Sequence, residues 1–463
     1  NLDVKGLIPT SKMQRNNLSL FTTMDITNKL QLAANVTYLN QKTTGEFEDD
    51  YSNQSTGSFN SWYHRNLDMD KMRELNNLRS PQGALASWNH KNPTVYDASN
   101  PLNFYGGNYW YNFYSYFDNV KNVNNRDRLY GDVSLTYKIT NDLKVRATYR
   151  KNQLNTNQEN RTYSILESSA TQTGTKAGYS TEQTYSNREN FEGLISYSKK
   201  IKDFSVTANA GVDIMRSNYK DIKANTTNGL NAPDFFSLSN SKDPIGYSNY
   251  REQSKYKAGF VRGDIGWKNL LFAEFTLRKD YFSTLRAEDN GILSKSFGAS
   301  FVFSDLTKNA IPFLSFGKIR ASWGEIPQTL EAYKTQATYT TSNNQWNGNF
   351  LMSTPNSLID PNIKGAVSTQ REIGIDLKFM KNRFGLSVTY WDGTVKDFPY
   401  ALTIPPTTGY TTYLTNIGEI KKNGVEVLVN INPIRTKTFN WDITATWAKL
   451  ITNDIVSIAP DVP

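Results

Sequence analysis

The feature that most limits the fold is a period-two alternation of apolar and polar residues, repeated along almost the whole chain. Residues 133–139 place Val, Leu, Tyr and Ile on one parity and Ser, Thr and Lys on the other, and residues 143–150 repeat the pattern. Similar segments recur at residues 30–38, 204–214, 261–277, 373–390 and 425–447. This period is that of a β-strand with two unlike faces, and it predicts roughly 14 strands.

The segments between these strands alternate strictly between short and long. Short turns are predicted near residues 25–29, 140–142, 199–203, 268–270, 305–316, 380–383 and 432–438. Long loops are predicted near residues 44–127, 156–187, 217–254, 281–295, 325–368 and 398–413. Transmembrane β-barrels of bacterial outer membranes have short periplasmic turns and long extracellular loops. We therefore predict an all-β, transmembrane antiparallel β-barrel, with a water-facing soluble antiparallel sheet as the alternative.

The polar parity of the predicted strands is rich in charge. Its charged members are Lys144, Arg146, Arg150, Glu192, Arg262, Asp264, Glu274, Arg278, Lys318, Arg320, Glu372, Asp376, Glu426 and Asp442. A charge facing lipid costs about 2–4 kcal/mol at the bilayer midplane. These residues are therefore predicted to face the lumen, which is either wet or filled by a polar plug.

Composition excludes several classes of function. The chain has no cysteine, and no segment approaches the length of apolar sequence that a membrane helix needs. No nucleotide-binding or hydrolase motif is present, and no basic run indicates nucleic acid. His64 and His90 share a long loop without metal-ligand spacing. We predict no enzyme activity, no cofactor and no metal site.

The predicted extracellular loops contain an unusual number of aromatic residues. The candidates for contact with a ligand or partner are Trp62, Tyr63, Tyr105, Tyr109, Trp110, Tyr111, Tyr114 and Trp346. Exposed rings can stack on sugars or anchor a partner protein. Alternatively, these rings pack the long loop onto itself or onto the barrel rim, and the sequence leaves both interpretations open.

Several strings resemble the SusC/RagA-type TonB-dependent transporters of Bacteroidetes. They are residues 359–364 (IDPNIK), 369–377 (TQREIGIDL), 382–390 (NRFGLSVTY), 416–426 (NIGEIKKNGVE) and 439–442 (FNWD). Residues 272–280 and 316–324 resemble earlier strands of that family. The chain departs from the family pattern after Asp280 and after Gly324, both in or beside predicted extracellular loops.

The resemblance implies the barrel of an energy-coupled importer in the outer membrane of a Gram-negative bacterium. Family members carry glycans or peptides, act with a SusD-like surface lipoprotein, and are driven by TonB through a plug domain. Plugged transporters have about 22 strands, so residues 1–463 are expected to form part of the barrel, with the plug and the C-terminal strands outside them. The alternatives are a non-transport scaffold subunit of an assembly or secretion complex and a passive porin.

Overall fold

The computed structural model describes residues 1–6, 8, 10–45, 65–81, 83–89, 94, 97–99, 109–169 and 174–457. Its strands are β1 Leu2–Lys5, β2 Lys12–Asp25, β3 Leu30–Thr44, β4 Val120–Lys138, β5 Leu143–Thr162, β6 Gly178–Ile201, β7 Phe204–Leu230, β8 Ser241–Trp267 and β9 Leu271–Phe282, followed by β10 Gly291–Val302, β11 Leu314–Gln328, β12 Thr340–Trp346, β13 Asn349–Ser353, β14 Ser357–Ile359, β15 Ala366–Phe379, β16 Phe384–Thr403, β17 Thr412–Arg435 and β18 Asn440–Ser457. The short α-helices of the described residues are α1 Met69–Glu74, α2 Phe113–Asn119, α3 Ser164–Ser169 and α4 Ser304–Thr307, and 3-10 turns lie at Leu238–Asn240 and Pro406–Thr408. No helix in these residues is long and apolar enough to cross a membrane.

Among the described residues, sixteen strands form one sheet, and fifteen of them make an antiparallel meander in which consecutive strands are neighbours in space. The meander runs from β1 to β11 and continues through β15, β16, β17 and β18. The 14 long strands, ten from β2 to β11 and four from β15 to β18, agree with the predicted number. The strands missed by the sequence are short: β1, the separate hairpin β12–β13, and β14, which pairs in parallel with the start of β17.

The short and long connections alternate as predicted, and tight turns close the short side. Lys268 and Asn269, in the three-residue connection between β8 and β9, have φ of 52° and 57°, the left-handed conformation that matches the twist of a tight hairpin. On the long side, the connections are shorter than predicted because the strands continue into the expected loops. Strands β7 and β8 have 27 residues each, whereas a membrane crossing needs about 9–11.

The polar strand ends explain this difference from the prediction. Residues 217–224 pair with residues 247–254 in an unbroken ladder, although their side chains are largely polar on both faces. Backbone hydrogen bonds hold such a ladder together without an apolar face, so the period-two signal is lost while the strand persists. The sheet therefore extends well beyond the membrane on its extracellular side.

The two faces of the sheet differ in burial as well as in polarity. On the polar face Asp213 and Asp280 are 9% and 3% exposed, whereas Val212 and Leu277 on the other face are 57% and 44% exposed. We call the polar, more buried face the inner wall and the apolar face the outer face. This arrangement is that of a barrel wall, with charge toward the lumen and apolar side chains toward lipid.

The buried apolar clusters lie at the extracellular ends of the strands. Ile8, Met72, Phe113 and Phe117 form one cluster, and Leu85, Tyr111 and Leu166 form a second. A third cluster joins Leu285, Leu330 and Ile363 under the loops that follow β9 and β11. The loops at this end are therefore folded structures with small cores of their own.

Candidate functional site

The first two clusters organise a small folded unit at the extracellular rim, which we call the rim module: residues 65–81, 83–89, 109–119 and 163–169. Asp68 caps α1 by accepting hydrogen bonds from the backbone N–H groups of Asp70 and Lys71, and Asn112 caps α2 in the same way. Such caps satisfy N–H groups that a short helix would otherwise leave unpaired. The amide of Asn112 also donates to the carbonyl of Met72 at 2.9 Å, which joins the two helices.

Some rings of the aromatic run around α2, residues 109–117, pack inside the rim module. Tyr111 is 2% exposed, and its hydroxyl donates to the carbonyl oxygen of Leu166 at 2.8 Å. Its ring stacks against Tyr116 at 5.9 Å, and burial raises the pKa of Tyr116 to about 12. Tyr111 is therefore unavailable to a ligand in this structure, because its ring fills the gap between α2 and α3.

Other rings of the same run stay at the surface of the rim module. Tyr109 is 53% exposed, and Trp110 stacks on Trp88 at 5.4 Å with planes 9° apart. Tyr114 is half-buried and carries Arg73 over its ring at 5.2 Å. The structure thus divides the aromatic run between packing, at Tyr111, and an exposed surface around Tyr109.

Trp346 lies apart from the rim module, at the tip of the β12–β13 hairpin. The turn residues Asn347 and Gly348 have φ of 50° and 81°, which suits this tight two-residue hairpin. Trp346 is 74% exposed and Phe350 is 73% exposed. The hairpin presents large rings on an extracellular loop. Trp62, Tyr63, Tyr105, His64 and His90 lie outside the described residues.

The inner wall carries a first cluster of charges across β6 to β9. Arg278 reaches Asp280 at 2.8 Å and Asp213 at 3.1 Å, and the hydroxyl of Tyr256 donates to Asp213 at 2.9 Å. Asn190 also donates to Asp213. Both carboxylates are nearly buried and share one cation, Arg278, so the cluster keeps a net charge of about −1 that the neutral donors Tyr256 and Asn190 help to stabilise.

A second cluster spans β11, β15 and β16. The guanidinium of Arg320 lies 3.6 Å from Glu372 and 3.5 Å from Asp376, and it donates to the hydroxyl of Thr389. It crosses Gly374, where an added Cβ would lie 2.9 Å from the guanidinium carbon. A glycine at this position therefore lets one arginine reach carboxylates on both sides of it.

Sequence reasoning placed most of these charges on the lumen side but did not pair them. Arg320 lies on β11 and Glu372 lies on β15, and only the register between these two strands brings the side chains together. Asp280 was missed because it lies beyond the apolar part of β9, where the alternation ends. The sequence feature that could have identified Asp280 is its parity, which it shares with Glu274 and Arg278.

A charged inner wall and an apolar outer face on a long antiparallel meander define an outer-membrane β-barrel. Residues 23–461 match the family model described as TonB dependent receptor-like, beta-barrel, and the chain belongs to this family. The protein therefore lies in the outer membrane of a Gram-negative bacterium, and its family is not one of enzymes.

Similar proteins come from Bacteroidetes and confirm the SusC/RagA resemblance. TonB-dependent receptor P26 of Formosa agariphila is 24% identical over 266 residues, which cover 55% of this chain and 26% of P26. TonB-dependent receptor SusC of Bacteroides thetaiotaomicron is 30% identical over 89 residues, which cover 19% of this chain and 9% of SusC.

Solved structures show the same fold. A chain of the RagAB peptide transporter superposes with a TM-score of 0.76 at 15% identity, over 98% of this chain and 48% of that chain. The siderophore receptor PiuA from Acinetobacter baumannii gives a TM-score of 0.54 at 13% identity, over 98% of this chain and 58% of that chain. The chain spans about half the length of the first of these structures and a smaller share of the relatives matched by sequence.

Proposed function

We propose that this chain forms the larger part of the barrel of a TonB-dependent importer. The cargo is a large nutrient, an oligosaccharide or a peptide, that crosses the outer membrane with the help of a SusD-like lipoprotein. The observation that carries this proposal is the tall extracellular wall, together with the folded rim module at its top. A pore for small solutes needs only the membrane-crossing part of each strand.

The tall wall suits a large cargo that is enclosed before it is imported. Strands β4 to β8 have 19 to 27 residues, so their extracellular halves can surround a ligand above the membrane. Clusters such as Arg278 with Asp213 and Asp280 pair opposite charges, so the wall is polar and each cluster keeps only a small net charge. Such a lining tolerates a hydrated, uncharged or zwitterionic cargo.

The rim module and the β12–β13 hairpin are the proposed contacts with cargo or lipoprotein. Tyr109, Trp110, Tyr114 and Trp346 present rings at the extracellular end of the barrel, with Tyr109 and Trp346 the most exposed. Aromatic rings bury a large area at low entropic cost, which suits both sugar stacking and protein anchoring. The RagAB structure, described as a peptide transporter, supports the two-component form of the proposal.

The proposed importer also needs a plug domain and further strands. Among the described residues β18 pairs only with β17, and β2 pairs along most of its length only with β3. Unpaired strand edges are not tolerated in lipid, so other strands are expected to close the barrel. A plug inside it is the element on which TonB would act, because the outer membrane has no nucleotide energy source.

The test is purification of the full-length receptor in mild detergent from its own outer membranes, followed by mass spectrometry of the proteins that accompany it. A SusD-like lipoprotein at one copy per barrel is the expected result, and double substitution of Tyr109 and Trp346 by Ala is expected to weaken the association. The matched control replaces Phe313 and Phe439, which are 59% and 56% exposed at the periplasmic end. Recovery with secretion or assembly components and no such lipoprotein would instead support a scaffold.

A further inference from the structure

The outer face of the β7–β8 hairpin carries a group of cations above its apolar band. Its members are Arg216, Lys220, Arg251, Lys255 and Lys257, and we call them the cationic ladder. In the register, Arg216 lies opposite Lys255 and Lys220 lies opposite Arg251. All five share the parity of Val212, Ile214 and Val261, so they project from the lipid-facing side of the sheet.

Like charges placed directly across a β-ladder repel each other, and nothing on this face compensates them. On the outer parity, residues 204–224 of β7 and residues 247–267 of β8 include no carboxylate. Within the described part of the chain, no ladder residue forms an ion pair. The nearest carboxylate on this face, Glu189 opposite Arg216, pairs with Lys151 at 3.5 Å and accepts a hydrogen bond from Tyr149.

Lysines at the periplasmic end of the same sheet are arranged differently. Lys199 pairs with Asp142 at 3.1 Å, Lys268 with Asp203 at 3.7 Å, and Lys308 with Asp305 at 2.8 Å. The chain thus supplies counter-charges at its periplasmic turns, and at outer-face pairs such as Lys151 with Glu189 and Lys396 with Glu419, but not beside the cationic ladder. The missing counter-charge is expected to come from outside the protein.

The height of the ladder identifies the layer that it faces. Ten residues separate Lys257 from Trp267 at the periplasmic turn, or roughly 25 Å along the membrane normal for a strand tilted by about 40°. This equals the height of the apolar band of an outer-membrane barrel, about 25 Å. Lys257 therefore lies at the extracellular border of the hydrocarbon, and the rest of the ladder rises above it.

The length of the ladder identifies the size of the headgroup. From Lys257 to Arg251 it rises roughly 15 Å at the same tilt, whereas the headgroup layer of a phospholipid bilayer is only about 5–8 Å thick on each side. A partner that satisfies the whole ladder must carry negative charge through a thicker layer. Phosphorylated glycolipids, with phosphates on a sugar headgroup, have this form.

We propose that the cationic ladder binds the phosphorylated glycolipid of the outer leaflet. Phosphates near the acyl chains would be bound by Lys255 and Lys257, and the more distal anionic groups by Lys220 and Arg251. Next to Lys257, a depression of about 480 Å³ is lined by Lys255, Lys257, Tyr281 and Asn290, among others. The ring of Tyr281 lies directly opposite Lys257 in the register and offers a surface on which a sugar can stack.

The test uses the full-length receptor in nanodiscs that contain either lipooligosaccharide or the same lipid after chemical removal of its phosphates. Native mass spectrometry counts the glycolipid molecules that stay on the protein. The variant R216Q/K255Q/K257Q is compared with K199Q/K268Q/K308Q, which removes the same charge from the periplasmic end. The heat-modifiable mobility of the folded barrel on gels confirms that both variants are folded.

The wild type and the periplasmic control are expected to prefer phosphorylated lipid, and the ladder variant to lose at least about tenfold of that preference. Equal retention of both lipids by the wild type, or equal losses in the two variants, would overturn the proposal. Full displacement of the lipid by excess inorganic phosphate would also overturn it, because the site would then bind free anions. Import of cargo plays no part in this measurement, so it is independent of the proposed function.

Discussion

The inner wall and the outer face of this barrel use the same charged residue types in opposite ways. Inside, Arg278 lies within 3.1 Å of two carboxylates, and Arg320 lies within 3.6 Å of two others. Outside, Arg216 and Lys255 face each other in the register, and the carboxylate opposite Arg216, Glu189, pairs with Lys151 instead. Both faces belong to the same strands, so secondary structure does not account for the contrast.

The contrast indicates where each face obtains its neutralising charge. A charge that is half-buried in a wall must be paired by the protein, because removing it from water is costly. A charge at the membrane border can be neutralised by a lipid headgroup instead. The pairing of the inner-wall clusters and its absence from the cationic ladder therefore distinguish charges that stabilise the barrel from charges that bind its surroundings.

The largest effect is expected from breaking the most buried pair on the inner wall. Replacing Asp280 by Ala leaves Arg278 with Asp213 alone, and we expect a loss of about 2 kcal/mol in the free energy of unfolding. The measurement is denaturant-induced unfolding of the full-length receptor in detergent, followed by tryptophan fluorescence. The matched control is K279Q, one residue away on the outer face, and an equal loss in both variants would contradict the distinction between the faces.

A smaller effect is expected at the second cluster, where Arg320 is about one-third exposed. The variant R320M leaves Glu372 and Asp376 close together without their cation, and we expect a loss of about 1 kcal/mol after allowance for solvent screening. The variant G374A keeps the arginine but places a methyl group against its guanidinium, so it should cost less than R320M. A larger loss in G374A would show that packing, and not charge, determines the stability of this part of the wall.

The contrast between the faces was only partly predictable from the sequence. Period-two alternation separates the two parities in residues 133–150, and it correctly assigned most inner charges to the lumen. It could not pair them, because Arg320 and Glu372 are distant in sequence and meet only through the register of β11 and β15. The alternation also disappears in the extracellular halves of β7 and β8, where both faces are hydrophilic. The sequence therefore did not predict these strand segments or the face on which the cationic ladder lies.

The sequence could not separate buried from exposed aromatic candidates, for a different reason. Tyr109 and Tyr111 have the same residue type and lie two positions apart, yet one is 53% exposed and the other 2%. The difference arises from contacts with α3, more than 50 residues away, which no local pattern encodes. Sequence therefore located the aromatic surface of the rim but could not separate its packing residues from its exposed ones.

The outer face should respond to charge removal in the opposite direction from the inner wall. In a neutral detergent, which supplies no phosphate, K255Q removes repulsion with Arg216 and should slightly raise the thermal unfolding midpoint of the barrel. This gain should shrink as salt is raised, because screening already weakens the repulsion in the wild type. Thermal unfolding at low and high salt measures both quantities. Destabilisation by K255Q at low salt would mean that an internal partner neutralises the ladder.

The smallest effect is expected at Asp360, in the extracellular loop that follows β14. Burial alone would raise the pKa of its carboxyl, but hydrogen bonds from the hydroxyl of Thr415 and the backbone N–H of Asn362 outweigh burial and lower the pKa. A carboxyl with a lowered pKa in the folded state stabilises the loop at pH values above its unfolded pKa, about 3.9, and this contribution is lost as the pH falls through the folded pKa.

Limited proteolysis of residues 354–365 between pH 7 and pH 3 measures this contribution, which should be below about 1 kcal/mol because the pair is near the surface. The wild-type loop should become more sensitive to cleavage at the acidic end, under a protease active at low pH. D360N, which cannot ionise, should show a flat response. An equal increase in cleavage of the wild type and D360N would indicate that acid unfolds the whole extracellular wall, and would contradict a local contribution from the Asp360 carboxyl.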